Sequence, residues 1–288
     1  MDDPTGAAAE HAFMAHTDIG DITGMHDGDG FPVLLLHGGP GLTDYMGQLD
    51  AETRGYRRIR YQQRGTKPST LDGPFTVARH VADAVAVLDA LGIDRAIVAG
   101  HSWGGHLALQ LALARPTRVA ALLIIDPPGS DGDGGLPAAA AELEARILPS
   151  NRARADELTR YLATHAATED DVTEVLALRW PGYYADLATA PPFPPSIRLS
   201  VRANAETIAS LYEELGNGAF ATALTTLTVP AAFVLGEKSP VPHRCGESTA
   251  ATMPDAEVSV IAGAGHLPWH EHPGCVAAAL ERLRGRIT

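Results

Sequence analysis

The sequence predicts an α/β fold: a mostly parallel sheet flanked by helices, with an inserted helical cap. Three observations predict it. Short apolar runs alternate with helical stretches between Phe31 and Asp126, the pattern of βαβ units. A glycine-flanked serine, Gly100-His101-Ser102-Trp103-Gly104, stands at one strand-to-helix junction. The alternation then stops after Asp126 and resumes near Val229.

In chain order, residues 1–10 read as a loose tail and Phe13–His26 as a short hairpin. FPVLLL, from Phe31, is a continuous apolar run ending in glycines, as buried parallel strands are. RRIRY is a second strand. Residues 76–92 have apolar positions at helical spacing and a glycine at the end. RAIVAG is a strand, WGGHLALQLALA a helix halted by Pro116, and VAALLIID a fourth strand. SDGDGG is a linker. Residues 136–224 are Ala-rich and helical in pattern, interrupted by the proline loop ATAPPFPPS. VPAAFVLGE and AEVSVIAGAG are strands again, and PGCVAAALERLRGRI is the last helix. The expected domains are a core over 1–129, a cap over 130–226 and a second core segment over 227–288.

The formal charge is −13. A phosphate backbone needs Lys and Arg to displace its counterions, so nucleic acid is not an expected partner, and neither is an anionic membrane surface. Two cysteines, Cys245 and Cys275, suggest no disulfide framework. No Cys/His spacing suggests a metal, and none is expected, nor any organic cofactor. The opening MDDPTGAAAEHAF has no apolar core of a signal peptide, and no apolar run reaches membrane-spanning length. The expectation is a cytoplasmic enzyme with a small-molecule substrate.

The chemistry concentrates in three loops. Gly100–Gly104 fits G-x-S-x-G in the required context, strand before and helix after. There Ser102 can act as a nucleophile at a helix N-terminus; a plain N-cap serine is the bland alternative. His37-Gly38-Gly39-Pro40-Gly41 follows a strand, and such a loop can aim a backbone N–H at an oxyanion. A phosphate cradle would need a Lys-Ser/Thr ending that is absent. His266 closes Gly263-Ala264-Gly265 after the last strand, later in the chain than Ser102. It is placed as the general base and acid. His270 and His272 read as surface histidines at the start of the final helix.

HGGPG, GHSWGG and GAGHLPWHEHP together resemble the α/β-hydrolase superfamily, and most its proline iminopeptidase-like branch. The likeness covers residues 31–128 and 229–287 and includes Glu271 and Pro273, which usually trail the histidine. It implies the α/β-hydrolase fold, a Ser-His-acid triad beneath a cap, and an oxyanion hole from the N–H groups of Gly39 and Trp103. The sequence departs from the family where the acid belongs: Gly236-Glu237-Lys238-Ser239-Pro240 carries Ser239 there. Asp126, at the end of the preceding strand, is the expected replacement. Glu237 turned inward, or a noncatalytic binding protein, are alternatives.

Relatives of the iminopeptidase type also carry an Asp in the turn here written Tyr61-Gln62-Gln63-Arg64-Gly65, and carboxylates that hold a free amino terminus. The turn has no Asp, and Pro240 stands next to the acid position. Glu206, Glu213 and Glu214 could anchor an amine or form a solvated helix face.

The expected reaction is therefore serine-dependent hydrolysis of a small or medium, largely apolar ester, lactone or amide. Its site would be Ser102, His266, Asp126, Gly39 and Trp103, with His37, Trp180, Tyr183 and Tyr184 against the substrate. The cap aromatics could equally be the cap's own core. An iminopeptidase-like aminopeptidase and a biosynthetic acyl-transfer or cyclisation enzyme are the other enzymatic readings.

Overall fold

A computed structural model describes residues 9–287. The tail expected over 1–10 lies almost wholly outside them. The strands are β1 (His11–His16), β2 (Asp21–Asp27), β3 (Phe31–Leu36), β4 (Tyr56–Tyr61), β5 (Ala96–His101), β6 (Val119–Ile125), β7 (Ala231–Gly236) and β8 (Ala256–Ile261). They form one sheet in the order β1-β2-β4-β3-β5-β6-β7-β8. Only β1/β2 and β2/β4 are antiparallel. Chain direction across the sheet reverses at β3, which pairs with β4 on one side and β5 on the other. Crevices beyond the carboxyl ends of strands form at such a reversal.

Helix α1 (Val77–Ala90) starts on Thr76, whose hydroxyl accepts the Arg79 N–H. Helix α2 (Trp103–Ala114) follows β5 directly. β5, β6 and β7 bury every residue, as continuous apolar strings covered on both faces must. One core layer joins the sheet to α1 and α2, and the other to the last helix and the Trp269 loop.

The insertion contains α3 (Leu136–Ala145), α4 (Pro149–Leu162), α5 (Glu169–Arg179), α6 (Val201–Gly216) and α7 (Ala219–Leu224). It is not one body. Leu211 and Leu215 of α6 and Phe220 and Leu224 of α7 belong to the same core cluster as α1 and α2. Helices α3–α5 instead lie over the carboxyl ends of the strands and wall a cavity there. The proline loop between α5 and α6 is non-helical, as expected.

Helix α8 (His243–Thr252), the single turn α9 (Pro268–Glu271) and α10 (Cys275–Arg284) complete the chain. The final helix thus begins at Cys275, later than the sequence suggested. Gly274 precedes it at φ 92°, a left-handed turn that separates α9 from α10. No helix of the described residues is long and apolar enough to cross a membrane.

Candidate active site

Ser102 joins β5 to α2 at φ 55° and ψ −124°. Strained backbone of this kind costs a non-glycine residue about 1–3 kcal/mol. Two glycines make the turn sterically possible. A Cβ on Gly100 would lie 2.0 Å from the Gly104 carbonyl oxygen, and one on Gly104 would lie 2.0 Å from that of Leu36. The turn is locked by the Ser102 N–H donating to the Ile125 carbonyl at 2.8 Å and the Gly105 N–H donating to the Ser102 carbonyl at 2.8 Å. Ser102 is half-buried and borders the cavity.

Asp126 ends β6, also in left-handed backbone, at φ 48°. Its N–H donates to the Val234 carbonyl at 3.0 Å. One carboxylate oxygen accepts the Gly236 N–H at 3.0 Å, and the other lies 2.6 Å from His266 Nδ1. Neighbouring strand tips thus aim the carboxylate at the imidazole from behind, where Asp126 is 1% exposed.

Ser239 Oγ lies 3.2 Å from the same Nδ1 and accepts the Val241 N–H at 3.1 Å. The usual acid position therefore still faces the histidine, but with a hydroxyl. Glu237 points elsewhere: it is exposed, and its carboxylate accepts the Gly263 N–H at 3.0 Å. That bond and Lys238 hold its carboxyl below the usual range.

His266 is held by its backbone as well. Its N–H donates to the Tyr183 carbonyl at 2.7 Å. Its carbonyl can only accept, so the His101 Nε2 atom 2.8 Å away carries the proton. Burial, and then the neighbouring His266, push His101 well below the usual histidine range, so its ring is neutral. His101 Nδ1 is then a bare acceptor, and Tyr45 donates its hydroxyl to it at 2.6 Å. The Gly38 N–H donates to the same Tyr45 oxygen at 2.9 Å. A single directional chain therefore connects the glycine loop after β3 to the backbone of His266.

The cavity enclosed between these loops and α3–α5 has a volume of about 410 Å³, within the range of small-molecule sites. Ser102, His266, Gly39, Trp180 and Tyr183 all border it. Its far wall is aliphatic, with Leu143, Leu162, Val175 and Leu176 among the contributors. Among the described residues that line it, Arg179 is the only Lys, Arg, Asp or Glu.

Trp103 is the first residue of α2, so its backbone N–H has no carbonyl partner within the helix.

Two residues expected at the substrate wall lie behind it. His37 is fully buried; its Nδ1 donates to the Gly38 carbonyl at 2.9 Å. Tyr184 is 2% exposed and its hydroxyl bonds His270 Nδ1 at 2.8 Å. His270 is accordingly half-buried rather than a surface residue, while His272 is exposed. The other cap aromatics divide: Phe193 packs edge-on to Trp180, Phe220 is in the main core, and Tyr212 is exposed. Glu206 and Glu213 are exposed and Glu214 contacts Gln110; none reaches the cavity.

Tyr45, Asn204 and Arg179 line the cavity without having been singled out in the sequence. Arg179 had a signal, a lone charge in the run Val175-Leu176-Ala177-Leu178-Arg179-Trp180. Tyr45 and Asn204 had none. Among the described residues no cluster of three or more His, Cys, Asp or Glu is placed to hold a metal.

This is the architecture of a mostly parallel sheet with a serine elbow under a helical lid. The sequence profile of the alpha/beta hydrolase family matches residues 33–279, and the chain belongs to that family. A 2-hydroxymuconate semialdehyde hydrolase of Pseudomonas putida is 39% identical over 113 residues, 37% of this chain and 40% of that relative's length. Among solved structures, a proline iminopeptidase of Mycobacterium smegmatis superposes with a TM-score of 0.68 at 22% identity. The match covers 96% of this chain and 98% of that one. Est816, described as an N-acyl homoserine lactone degrading enzyme, superposes with a TM-score of 0.62 at 27% identity. It covers 94% of this chain and 99% of its own.

Proposed function

We propose that the protein is a serine hydrolase that cleaves a small or medium, largely apolar ester, lactone or amide through an acyl-enzyme on Ser102. The observation that carries this reading is the Asp126–His266 hydrogen bond of 2.6 Å behind a cavity that Ser102 and His266 both border. In the proposed cycle, His266 takes the Ser102 proton as the hydroxyl attacks the carbonyl carbon, then gives it to the leaving group. Asp126 holds the imidazole in the tautomer that leaves Nε2 free to accept. The N–H groups of Gly39 and Trp103 receive the negative oxygen. Water then attacks the acyl-enzyme by the same route in reverse.

The aliphatic wall supports an apolar acyl or alkoxy group. Among the described residues no Asp or Glu lines the cavity, which weighs against the aminopeptidase reading, because a buried ammonium without a carboxylate is costly. The test is a fluorophosphonate probe followed by a substrate panel. Wild type is expected to take the label and Ser102→Ala to refuse it, with short aliphatic esters and lactones turned over. Faster cleavage of prolyl amides with a free amino group than of esters would favour the peptidase; no labelling of wild type would exclude serine chemistry.

A further inference from the structure

The two oxyanion donors proposed above come from different elements: Gly39 from the loop after β3, Trp103 from the start of α2. An oxyanion hole works only if both N–H groups point at one spot, so something must hold these elements in register. One fully buried side chain touches both. Gln63, in the turn after β4, is 1% exposed. Its Nε2 donates to the His37 carbonyl at 2.9 Å, and its Oε1 accepts the Trp103 indole N–H at 2.9 Å.

The link to Gly39 runs one step further. The Gln63 backbone N–H donates to His37 Nε2 at 3.3 Å, so that nitrogen is bare. His37 Nδ1 therefore carries the ring proton and donates it to the Gly38 carbonyl at 2.9 Å. Burial pushes His37 below the usual histidine range, which keeps this neutral tautomer. The Gly38 carbonyl and the Gly39 N–H belong to the same planar peptide unit and point in opposite directions. Fixing one fixes the other.

Gln63 is itself anchored. The neighbouring Arg64 makes a bidentate pair with Asp83 of α1, at 2.5 and 2.7 Å. Thr66 donates its hydroxyl to the Gln63 carbonyl at 2.7 Å.

We propose that Gln63 is the positioning residue of the oxyanion hole, its carboxamide setting the Gly38–Gly39 peptide and the start of α2 in one register. The role rests on the serine-hydrolase reading of Ser102. It requires a donor on one side of the side chain and an acceptor on the other, which only a carboxamide or a neutral carboxylic acid of this shape provides.

That requirement gives the test. Gln63→Leu removes both bonds and is expected to lower kcat on p-nitrophenyl butyrate by about 10- to 100-fold, less than or near the loss of one donor, with KM changed less than about threefold. Gln63→Glu keeps the shape. While protonated, its O–H donates to the His37 carbonyl and its C=O accepts the indole N–H. Once ionised, an oxygen faces an oxygen and the link to His37 is lost.

The ratio of Gln63→Glu to wild-type kcat is therefore expected near one at acid pH, falling toward the Gln63→Leu level as pH rises. Taking the ratio cancels any pH dependence common to both enzymes. A pH-independent ratio, or a folded Gln63→Leu with wild-type kcat, overturns the proposal while wild type still takes the fluorophosphonate label. Should Gln63→Leu fail to fold, the ratio for Gln63→Glu decides alone. Should wild type take no label, the Ser102 reading fails and this role with it.

Discussion

The two halves of the site are built from different materials. The proposed reacting groups stand on the tips of β5 and β6 and on the loop after β8, and β6 buries all seven of its residues. The opposite wall is α3–α5, and α5 buries only Thr173 of its eleven residues. Its Val172, Val175 and Leu176 stay half-exposed because they face the cavity instead of a core. Ser102 and Asp126 hold left-handed backbone, which persists only where the surroundings over-determine it. The lid is held partly by ion pairs at its surface, Glu144 with Arg152 and Arg179, and Arg154 with Glu174. The proposed chemistry therefore sits on rigid material and the proposed substrate wall on adaptable material.

Substitutions in the strand-tip half should change turnover and leave substrate affinity nearly alone. Asp126→Asn is expected to lower kcat about ten-thousandfold by favouring the wrong His266 tautomer. Ser239→Ala, which removes only the 3.2 Å contact, should change kcat by less than about tenfold, since a neutral hydrogen bond is worth only about 0.5–1.5 kcal/mol. Steady-state kinetics of the two variants measures this directly. The reverse ranking would return the acid role to the β7 loop.

The next largest effect is on stability. His37, His80, His101 and His106 are buried and all pushed below the usual histidine value, His80 to about 3, chiefly by burial. The folded protein keeps them neutral, whereas the unfolded chain takes up protons near pH 6.5. Their contribution is fully present above about 6.5 and is lost as pH falls toward the folded values. Each should cost on the order of 1.4 kcal/mol per pH unit inside that window. All four lie in the core half; the lid's His165 is exposed. Urea midpoints at pH 7.5, 6.5 and 5.5 should fall steeply, and a flat series would mean that the core histidines are not held neutral.

The same contrast explains what could be read from the sequence. Parallel strands buried on both faces are written as unbroken apolar strings, so Phe31–Leu36 and Val119–Ile125 were legible. The elbow was legible because its residues are contiguous in sequence: Gly100 is required by the Gly104 carbonyl four residues on, although Gly104 is required by the distant Leu36 carbonyl. The position of Asp126 was legible because a strand tip is a fixed address. The lid was legible only as helix. Which of its residues face the cavity depends on how three short helices pack, and a half-exposed Val175 looks the same on a cavity wall as on an outer surface. His37 and Tyr184 were misplaced for the same reason: side-chain direction at a loop or helix end is set by partners far away in sequence, Gln63 for one and His270 for the other. The split of the insertion, with α6 and α7 in the main core, leaves no mark in composition.

The lid half offers the smallest but most selective perturbation. Glu144 accepts from both Arg152 and Arg179, at 2.7 and 2.8 Å, and Arg179 borders the cavity. Arg179, then burial opposing it, sets the Glu144 carboxyl, which lies below the usual range. The groups are one-third to nearly one-half exposed, and exposed pairs contribute about 0–1 kcal/mol. Glu144→Ala should therefore lower stability by less than about 1 kcal/mol. It also frees a guanidinium at the edge of an aliphatic wall. KM for an apolar ester should rise, KM for an ester bearing a carboxylate should fall, and kcat should stay near wild type because no strand tip is touched. Stability from urea melts and kinetics on the two esters separate these effects. A fall in kcat at unchanged KM would mean that the lid and the reacting groups are one mechanical unit, and the division between rigid and adaptable halves would be wrong.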